Sequence, residues 1–277
     1  MAQIKFDDGY EAKIDDRVGV LLQHLMNLSD KADRHEVERF IARFKENYVS
    51  CDLVRVGGDG DGGYLMPNIL QDVSYCFSPG VDYMADFEKE LSEKHNIKAF
   101  MADASVDGPP FHDDNFNFVA KYLGAYTSGN ITTLSDWMRE SVGEDKSQKI
   151  LQMDIEGAEY DVLIIEDAET LASFSIIIIE FHFLQKIFER DFLRMISAVF
   201  EKMFANFSIC HAHPNNNCGV EEIDGISVPI VLELTFIRND LLPRFQNSSE
   251  IALPHELDRK NVPGKEDLVL PDIWWKS

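Results

Sequence analysis

The chain has 277 residues, 45% of them hydrophobic, which suits one large α/β domain with additions and a substantial core. Its 49 acidic and 26 basic residues give a formal net charge of −23, and such a field would repel nucleic acids and anionic membranes. Small neutral or cationic substrates suit this charge better. An acidic surface that serves only solubility is the alternative that the composition leaves open.

The cysteine pattern and the first residues predict a cytoplasmic protein. The four cysteines include no Cys-x-x-Cys pair, which is typical of free thiols in a reducing compartment. Residues 1–8 lack the apolar segment of a signal peptide. No stretch approaches the roughly eighteen apolar residues that a spanning helix needs, so we expect no membrane span.

The first predicted elements in chain order are two helices. Apolar residues recur at helical spacing over residues 18–25 and again over 37–44, with a break at Ser29 and Asp30. This predicts a helical extension over residues 1–50 that packs on the following domain or covers it as a lid. The glycine-rich segment 57–63 comes next, and because no helix pattern follows it, a phosphate-binding loop is not expected.

From residue 73 onwards, strand and helix signals alternate as a parallel sheet with crossover helices requires. Two of the predicted strands end at Asp154 and His182. The other strands and the helices are predicted over these residues: strands 73–77, 97–102, about 205–212 and about 228–237; helices 84–95, 134–140 and about 185–203. We therefore assign residues 51–240 to one α/β domain. The proline-containing residues 241–277 are predicted to form an extended arm that packs through Trp274 and Trp275.

Polar side chains follow several strands at the point where each strand ends. Asp154 ends one strand and leads through Glu156 into a helix, and the next strand ends in an acid and His182. Open α/β sheets bind ligands at the carboxyl ends of their strands, so these groups are predicted to face one crevice. Glu156 and Glu159 could equally be first-turn acids of a charged helix, but that explains poorly an aspartate at the end of a buried strand.

The loop Ser78-Pro79-Gly80-Val81-Asp82 joins a strand to a helix, and Asp103 ends the next strand about twenty residues later. This spacing suits an adenosyl cofactor, because a carboxylate there can accept both ribose hydroxyls while Gly80 lets the backbone approach the ligand. A dinucleotide normally requires a fuller Gly-x-Gly-x-x-Gly pattern. An ordinary turn and an exposed aspartate are the alternative interpretation.

Two further histidines, His211 and His213, end a later strand beside an Asn-Asn-Asn run. We expect this strand to lie close to the one that ends at His182, so that the imidazoles converge beside Asp154. A base or a His/Asp metal site would then be plausible chemistry, with Asp154, His182 and His213 as ligands of magnesium or manganese. Taken singly, each histidine is more often structural.

The Asp-Ile-Glu-Gly-Ala-Glu run at 154–159 and the Glu-Phe-His run at 180–182 resemble motifs of FkbM-type S-adenosylmethionine (SAM) dependent methyltransferases. Arg55 and the Asp-Gly-Gly-Tyr run at 61–64 resemble a segment that walls the SAM or acceptor pocket in that group. The resemblance covers roughly residues 50–240. At the first loop, this chain has Phe77-Ser78-Pro79-Gly80-Val81-Asp82 where the family commonly shows Asp-x-Gly-x-x-x-Gly.

The resemblance implies a Rossmann-like class I methyltransferase fold with a mostly parallel seven-stranded sheet whose last strand is antiparallel. It also implies SAM as cofactor and O-methylation of a hydroxyl on a sugar or natural product; a divalent metal is not required. The acceptor would be a small molecule or glycan, and a homo-oligomer is compatible with the sequence. The candidate cofactor-binding residues are Ser78, Gly80, Asp82, Asp103 and Asp154, and the candidate catalytic residues are Asp154, Glu156, His182 and His213. His182 is the first candidate base, and His213 is the second.

Two other functions remain open at this point. A nicotinamide-dependent oxidoreductase is disfavoured by the missing glycine pattern and by the lack of a Tyr-x-x-x-Lys pair near the strand ends. A non-catalytic carbohydrate-binding or assembly module on the same fold is opposed only weakly by the intact acids and histidines.

Overall fold

A seven-stranded mixed sheet lies at the centre of the protein, whose computed structural model describes residues 31–245 and 252–276. In chain order the strands are β1 (Leu53–Gly57), β2 (Gly63–Pro67), β3 (Val73–Pro79), β4 (Lys98–Ala102), β5 (Phe116–Val119), β6 (Tyr122–Leu123), β7 (Ile131–Thr132), β8 (Gln148–Met153), β9 (Phe174–Phe181), β10 (Phe207–Pro214), β11 (Val220–Ile223), β12 (Ile226–Pro229) and β13 (Leu232–Arg238). The α-helices are α1 (Arg34–Glu46), α2 (Asp86–His95), α3 (Leu134–Val142), α4 (Glu159–Ile165), α5 (Ala168–Ala172) and α6 (Arg190–Phe204).

The strand order across the central sheet is β10-β13-β9-β8-β3-β4-β5. Strand β13 runs antiparallel to both of its neighbours, whereas the remaining pairs are parallel. The expected mixed α/β architecture is confirmed. After β3, the chain adds β4 and β5 on one side of it. Strand β8 then pairs with the other side of β3, and β9 follows beyond β8, so the strand order reverses between β3 and β8. In an open α/β sheet, that reversal opens a crevice at the carboxyl ends of the strands.

The central strands form because their sequences suit burial on both faces. Strand β9 contains four consecutive isoleucines, and all eight of its residues are buried. β-Branched side chains pack well on a pleated surface, and a strand covered on both sides shows no polar alternation. The one charged residue of β9 is Glu180, which lies next to its last residue, Phe181.

Two amphipathic helices cover one face of the sheet. The buried side chains of α6 recur every three or four residues, and its Phe200 ring lies 4.6 Å from that of Phe44 on α1. Helix α1 begins with a capping box between Asp33 and Glu36, in the region where the second N-terminal helix was predicted. The other predicted N-terminal helix lies outside the described residues. Helix α6 begins only at Arg190, because a separate 3₁₀ segment, Leu184–Phe188, occupies the start of the predicted helix.

The glycine-rich segment 57–63 is the connection of an antiparallel hairpin formed by β1 and β2. Gly57 has φ +93°, and a Cβ atom there would lie 2.5 Å from the carbonyl oxygen of Gly62, so the tight connection requires glycine. The hairpin was not predicted from the sequence. Strand β5, which lies between α2 and α3 in the chain, was not predicted either.

The last described residues return to the core of the protein. Trp274 is fully buried, its ring lies 5.3 Å from that of Phe44, and its Nε1 donates a hydrogen bond to the carbonyl of Ser227 at 2.8 Å. Trp275 is only partly buried. All four cysteines are free thiols, and no helix in the described residues combines the length and the apolar character needed to cross a bilayer.

Replacing Trp274 by alanine should lower the free energy of unfolding by about 3–5 kcal/mol, because it leaves a large cavity against α1 and an unpaired carbonyl at Ser227. Urea denaturation measures the change. Trp275→Ala is the matched control and should cost less than half as much. Equal effects of the two substitutions would contradict the observed packing.

Candidate active site

A cavity of about 510 Å³ opens at the C-terminal ends of the parallel strands, where the strand order reverses. Its wall contains residues that follow β3, β4 and β8, together with residues of the β1–β2 hairpin and the first turn of α2. Among the described residues of this wall, none is Lys, Arg or His, and seven carry a carboxyl group: Asp61, Asp82, Asp86, Glu88, Asp103, Asp154 and Glu156. The cavity is therefore strongly anionic, and it favours ligands that carry positive charge.

Gly80 brings the ends of β3 and β8 into contact. Its φ is +84°, and a Cβ atom at this position would lie 1.6 Å from the carbonyl oxygen of Asp154. No other residue type fits between the two backbones. The sequence predicted that Gly80 allows a close approach, and the structure shows that the approaching group is the neighbouring strand end.

Asp103 presents a fixed carboxylate to the cavity. It accepts hydrogen bonds from the backbone N–H of Asp82 at 3.0 Å and from the N–H and hydroxyl of Ser105 at 2.8 and 2.6 Å. Burial on its own would raise the pKa of Asp103, but these hydrogen bonds hold it below the ordinary value. Asp103 is thus an ionised acceptor in the position predicted from its spacing to the β3 loop.

Ser78 lies beneath the cavity wall and supports two residues that line it. Its hydroxyl contacts the buried carboxyl of Glu88 and the amide oxygen of Gln152, whose Nε2 donates to the Tyr64 hydroxyl at 3.0 Å. The Ser78 hydroxyl has one hydrogen but contacts two acceptor oxygens, so it can donate to only one of them. If Glu88 is protonated, its carboxyl group donates to Ser78 Oγ, and the Ser78 hydroxyl donates to Gln152. Burial raises the pKa of Glu88 from 4.5 to about 6, in the same direction.

Four carboxylates surround the imidazole of His182. Its Nδ1 lies 3.1 Å from Glu159 Oε1, and its Nε2 lies 3.5 Å from Glu156 Oε2, 3.7 Å from Glu180 Oε1 and 3.8 Å from Asp154 Oδ1. Asp154 and Glu156 line the cavity, whereas His182 and Glu180 lie behind them. The predicted grouping of Asp154, Glu156 and His182 at one strand edge is therefore present.

The backbone and neighbouring side chains hold this cluster in place. Glu159 accepts hydrogen bonds from the N–H groups of Ile155 and Gly157, both at 3.1 Å, in addition to its contact with His182. Glu156 has φ +57°, a conformation that is costly for a residue with a side chain and that recurs at functional sites. The Asn215 amide donates to Glu180 at 3.0 Å.

The cluster perturbs the ionisation of its members. Burial raises the pKa of Asp154 to about 7; the charges of Glu156 and Glu159 act in the same direction, and His182 opposes them. Burial would lower the pKa of His182, but the hydrogen bond to Glu159 and the surrounding carboxylates raise it above the ordinary value. Perturbations of this kind are common at functional sites.

The structure does not bring His213 or His211 to His182. Strand β13 lies between β9 and β10, and its register places Glu233 between Glu180 and His213. Two strand spacings, about 10 Å, therefore separate their backbones. His213 Nε2 instead lies 3.6 Å from Asp267, and His211 Nε2 lies 2.8 Å from Asp258. The expected adjacency was wrong, because the last strand inserts between the two that carry histidines.

Glu180 takes the place that the sequence interpretation gave to His213. Ligand atoms of Asp154, Glu180 and His182 lie within 4.8 Å of one another, so these three residues could hold a metal ion. Glu180 could have been found from the sequence, since positions 180 and 182 of a strand face the same side. Glu159, considered as an ordinary first-turn acid, is in fact completely buried. The cavity residues Glu88 and Gln152 had no signal of their own in the sequence.

The model of the methyltransferase FkbM domain family matches residues 86–207. This segment, less than half of the chain, is similar to methyltransferase FkbM domains. The resemblance predicted from the sequence is confirmed, and the match supports a methyltransferase. The FkbM segment includes Asp103, Asp154, Glu156 and His182, whereas the β3 loop with Gly80 and the strand with His213 lie outside it.

The remaining comparisons add little. No curated protein matches the chain. One solved structure that matches is described as "a putative hemolysin from Lactococcus lactis"; it shares 9% sequence identity, and the match covers 75% of this chain and 88% of that chain with a TM-score of 0.32. This similarity is too low to carry an argument about fold or function.

The pKa of Glu88 leads to a prediction about stability. Because its folded-state pKa of about 6 exceeds the ordinary 4.5, Glu88 stabilises the fold at low pH and loses that contribution as the pH rises through 6. Glu88→Gln keeps the neutral shape, so the variant should gain about 1 kcal/mol relative to wild type between pH 5.0 and 7.5. Urea denaturation at both pH values measures this. Glu93→Gln, an exposed position on the same helix, should show no such change; a pH-independent difference for Glu88→Gln would refute the assignment.

Proposed function

We propose that this protein transfers the methyl group of SAM to a hydroxyl oxygen of a sugar or small natural product. The observation that carries the proposal is the cavity at the reversal of strand order, whose wall combines Gly80, Asp82, Asp103 and Asp154 from three strand ends. The FkbM match over residues 86–207 supports methyl transfer as the reaction class. SAM supplies a methyl group on a positively charged sulfur, which is already a good electrophile.

The cavity suits SAM in charge and in the placement of its acceptors. The ionised Asp103 can accept hydrogen bonds from the two ribose hydroxyls, as a carboxylate at this strand end does in nucleotide-binding folds. Asp154 and Glu156 can neutralise the ammonium and sulfonium charges at the other end of the cofactor. The part of the wall that the structure describes has seven carboxyl groups and no cationic side chain, which is the pattern expected for a cationic ligand.

The acceptor's proton must be removed, since an aliphatic hydroxyl is a poor nucleophile near neutral pH. Asp154 reaches the cavity, and His182 contacts it from behind while Glu159 fixes the ring through Nδ1. We assign proton removal to this pair: Asp154 takes the proton from the acceptor hydroxyl in the cavity and passes it to His182 behind it, whose Nε2 lies 3.8 Å away before any adjustment of the side chains. Orientation of the acceptor oxygen in line with the methyl group is the other contribution that the cavity makes.

The class I methyltransferase fold and a cytoplasmic location belong to the same proposal. So does the division of the chain into a helical extension over residues 1–50, a methyltransferase domain over 51–240 and a C-terminal arm over 241–277. A small-molecule or glycan acceptor completes it. Divalent metal involvement is treated in the next subsection.

Asp103→Ala should weaken SAM binding at least about tenfold, because it removes two charge-assisted hydrogen bonds to the ribose. Isothermal titration calorimetry with SAM measures the affinity, and a parallel titration with NAD tests the oxidoreductase alternative. Asp107→Ala, at an exposed position of the same loop, is the control and should bind SAM as wild type does. A folded Asp103→Ala protein with unchanged SAM affinity would be incompatible with this binding mode.

His182→Asn should lower the methyl-transfer rate by about a hundredfold to ten-thousandfold while SAM affinity stays within a few-fold of wild type. Transfer of a tritiated methyl group from SAM to a pool of hydroxyl-containing metabolites and glycans measures the rate. The same substitution at His213 tests the second candidate, which the structure places two strands away. A wild-type protein that binds SAM but transfers no methyl group would favour the non-catalytic module.

A further inference from the structure

We propose that Asp154, Glu180 and His182 form a binding site for one divalent cation at the edge of the cavity. The three side chains come from the ends of two neighbouring strands, β8 and β9. Their ligand atoms all lie within 4.8 Å of one another, and the pair distances from His182 Nε2 are 3.8 Å to Asp154 Oδ1 and 3.7 Å to Glu180 Oε1.

The spacing of these atoms fits a shared ion. Two ligand atoms about 2.1 Å from one metal are separated by about 3 Å when they are at right angles and by about 4 Å when they are opposite. Both distances from His182 Nε2 lie within that range, so an ion between the three groups would require only small side-chain adjustments. Direct hydrogen bonds to Nε2 at these distances would be poor.

The hydrogen bonds that His182 and Glu180 make outside the proposed site are typical of metal ligands. Among the described residues, His182 Nδ1 contacts two acceptors, Glu159 Oε1 and the carbonyl of Glu180, both at 3.1 Å, so Nδ1 carries a hydrogen. Nε2 faces the carboxylates, and on cation binding it would lose any proton and supply its lone pair to the cation. A ligating histidine typically donates its other N–H to a carboxylate in this way. Asn215 orients Glu180 by the hydrogen bond described above.

Two buried oxygens of the three proposed ligands have no hydrogen-bond partner among the described residues. They are Asp154 Oδ1 and Glu180 Oε2, and the Glu180 side chain is more than nine-tenths buried. Buried carboxylate oxygens are costly when unpaired. A cation bound by Asp154 Oδ1 and by both oxygens of Glu180, of which Oε1 is the one 3.7 Å from His182 Nε2, would remove a substantial penalty. Within residues 31–245 and 252–276, no Lys or Arg forms an ion pair with Asp154, Glu156, Glu159 or Glu180. A single imidazolium can offset only one of these four charges.

One nitrogen and two carboxylate oxygens suit Mn²⁺ better than Mg²⁺, which prefers an all-oxygen environment. The exposed carboxylate of Glu156, 3.5 Å from Nε2, could become a further ligand. Asp154 links the site to the cavity, so a cation there would place positive charge beside the acceptor oxygen. Because the cation would occupy His182 Nε2, the assignment of His182 as proton acceptor applies to the metal-free protein. The use of the cation in methyl transfer rests on the proposed function; its binding does not.

Titration of metal-free protein with Mn²⁺, in the absence of SAM, tests the site. Electron paramagnetic resonance of the free ion should show one Mn²⁺ bound per chain with a Kd below about 1 mM. Glu180→Gln and His182→Asn should each weaken binding at least about tenfold, as loss of a ligand requires. Glu88→Gln removes a buried carboxyl outside the ligand set and should stay within about threefold of wild type.

A measurement on the wild-type protein tests the site even if the variants do not fold. Bound Mn²⁺ should broaden the ring NMR signals of His182 before those of His95, which precedes β4 at the opposite edge of the sheet. Absence of stoichiometric Mn²⁺ binding, equal affinity of all three variants, or broadening that spares His182 would each overturn the proposal. Since SAM takes no part in this experiment, its outcome is independent of the SAM-binding test at Asp103.

Discussion

The close contact between the ends of β3 and β8 is the constraint on which the site depends. Gly80 leaves room for the carbonyl of Asp154, and the N–H of Asp154 donates to the carbonyl of Pro79 at 3.3 Å. With a side chain at position 80, the two strand ends would have to separate. The cavity wall after β3 and the acidic cluster after β8 would then no longer face each other. Because Gly80 has no Cβ atom, the proposed cofactor-binding wall and the proposed catalytic residues can lie side by side.

Several carboxyl groups lie close together at the C-terminal ends of the strands, and this is the second property on which the site depends. Asp154, Glu180 and Glu233 come from three adjacent strands, and burial raises the pKa of Glu233 to about 8, as it raises that of Asp154 to about 7. Like charges held in a poorly solvated place destabilise the fold unless a proton, a metal ion or a cationic ligand joins them. The site is therefore built to bind positive charge, which SAM and a divalent cation both carry.

The C-terminal residues complete this edge from the outside. The Asn261 amide donates to Glu233 at 2.6 Å and to Asp61 at 3.2 Å, and so connects β13 to the hairpin that lines the cavity. Asp258 pairs with His211 at 2.8 Å, which anchors the same segment to β10. His211 thus serves to hold the tail instead of joining His182. A segment with no regular secondary structure positions one wall of the cavity.

The sequence by itself determined the order of the long strands and helices from β3 onwards, the acids at the strand ends and the family resemblance, because residue periodicity reports burial and local backbone preference. It did not reveal the β1–β2 hairpin or the short strand β5. It placed Asp103, Asp154, Glu156 and His182 correctly at one edge, since parallel strands end on the same side. Only the tertiary structure decided which histidines meet. Insertion of β13 between β9 and β10 depends on the pairing of distant segments, and no local pattern reports it. The burial of Glu88 and Glu159 was decided in the same way, because a charged residue reveals its environment only when the chain around it has folded.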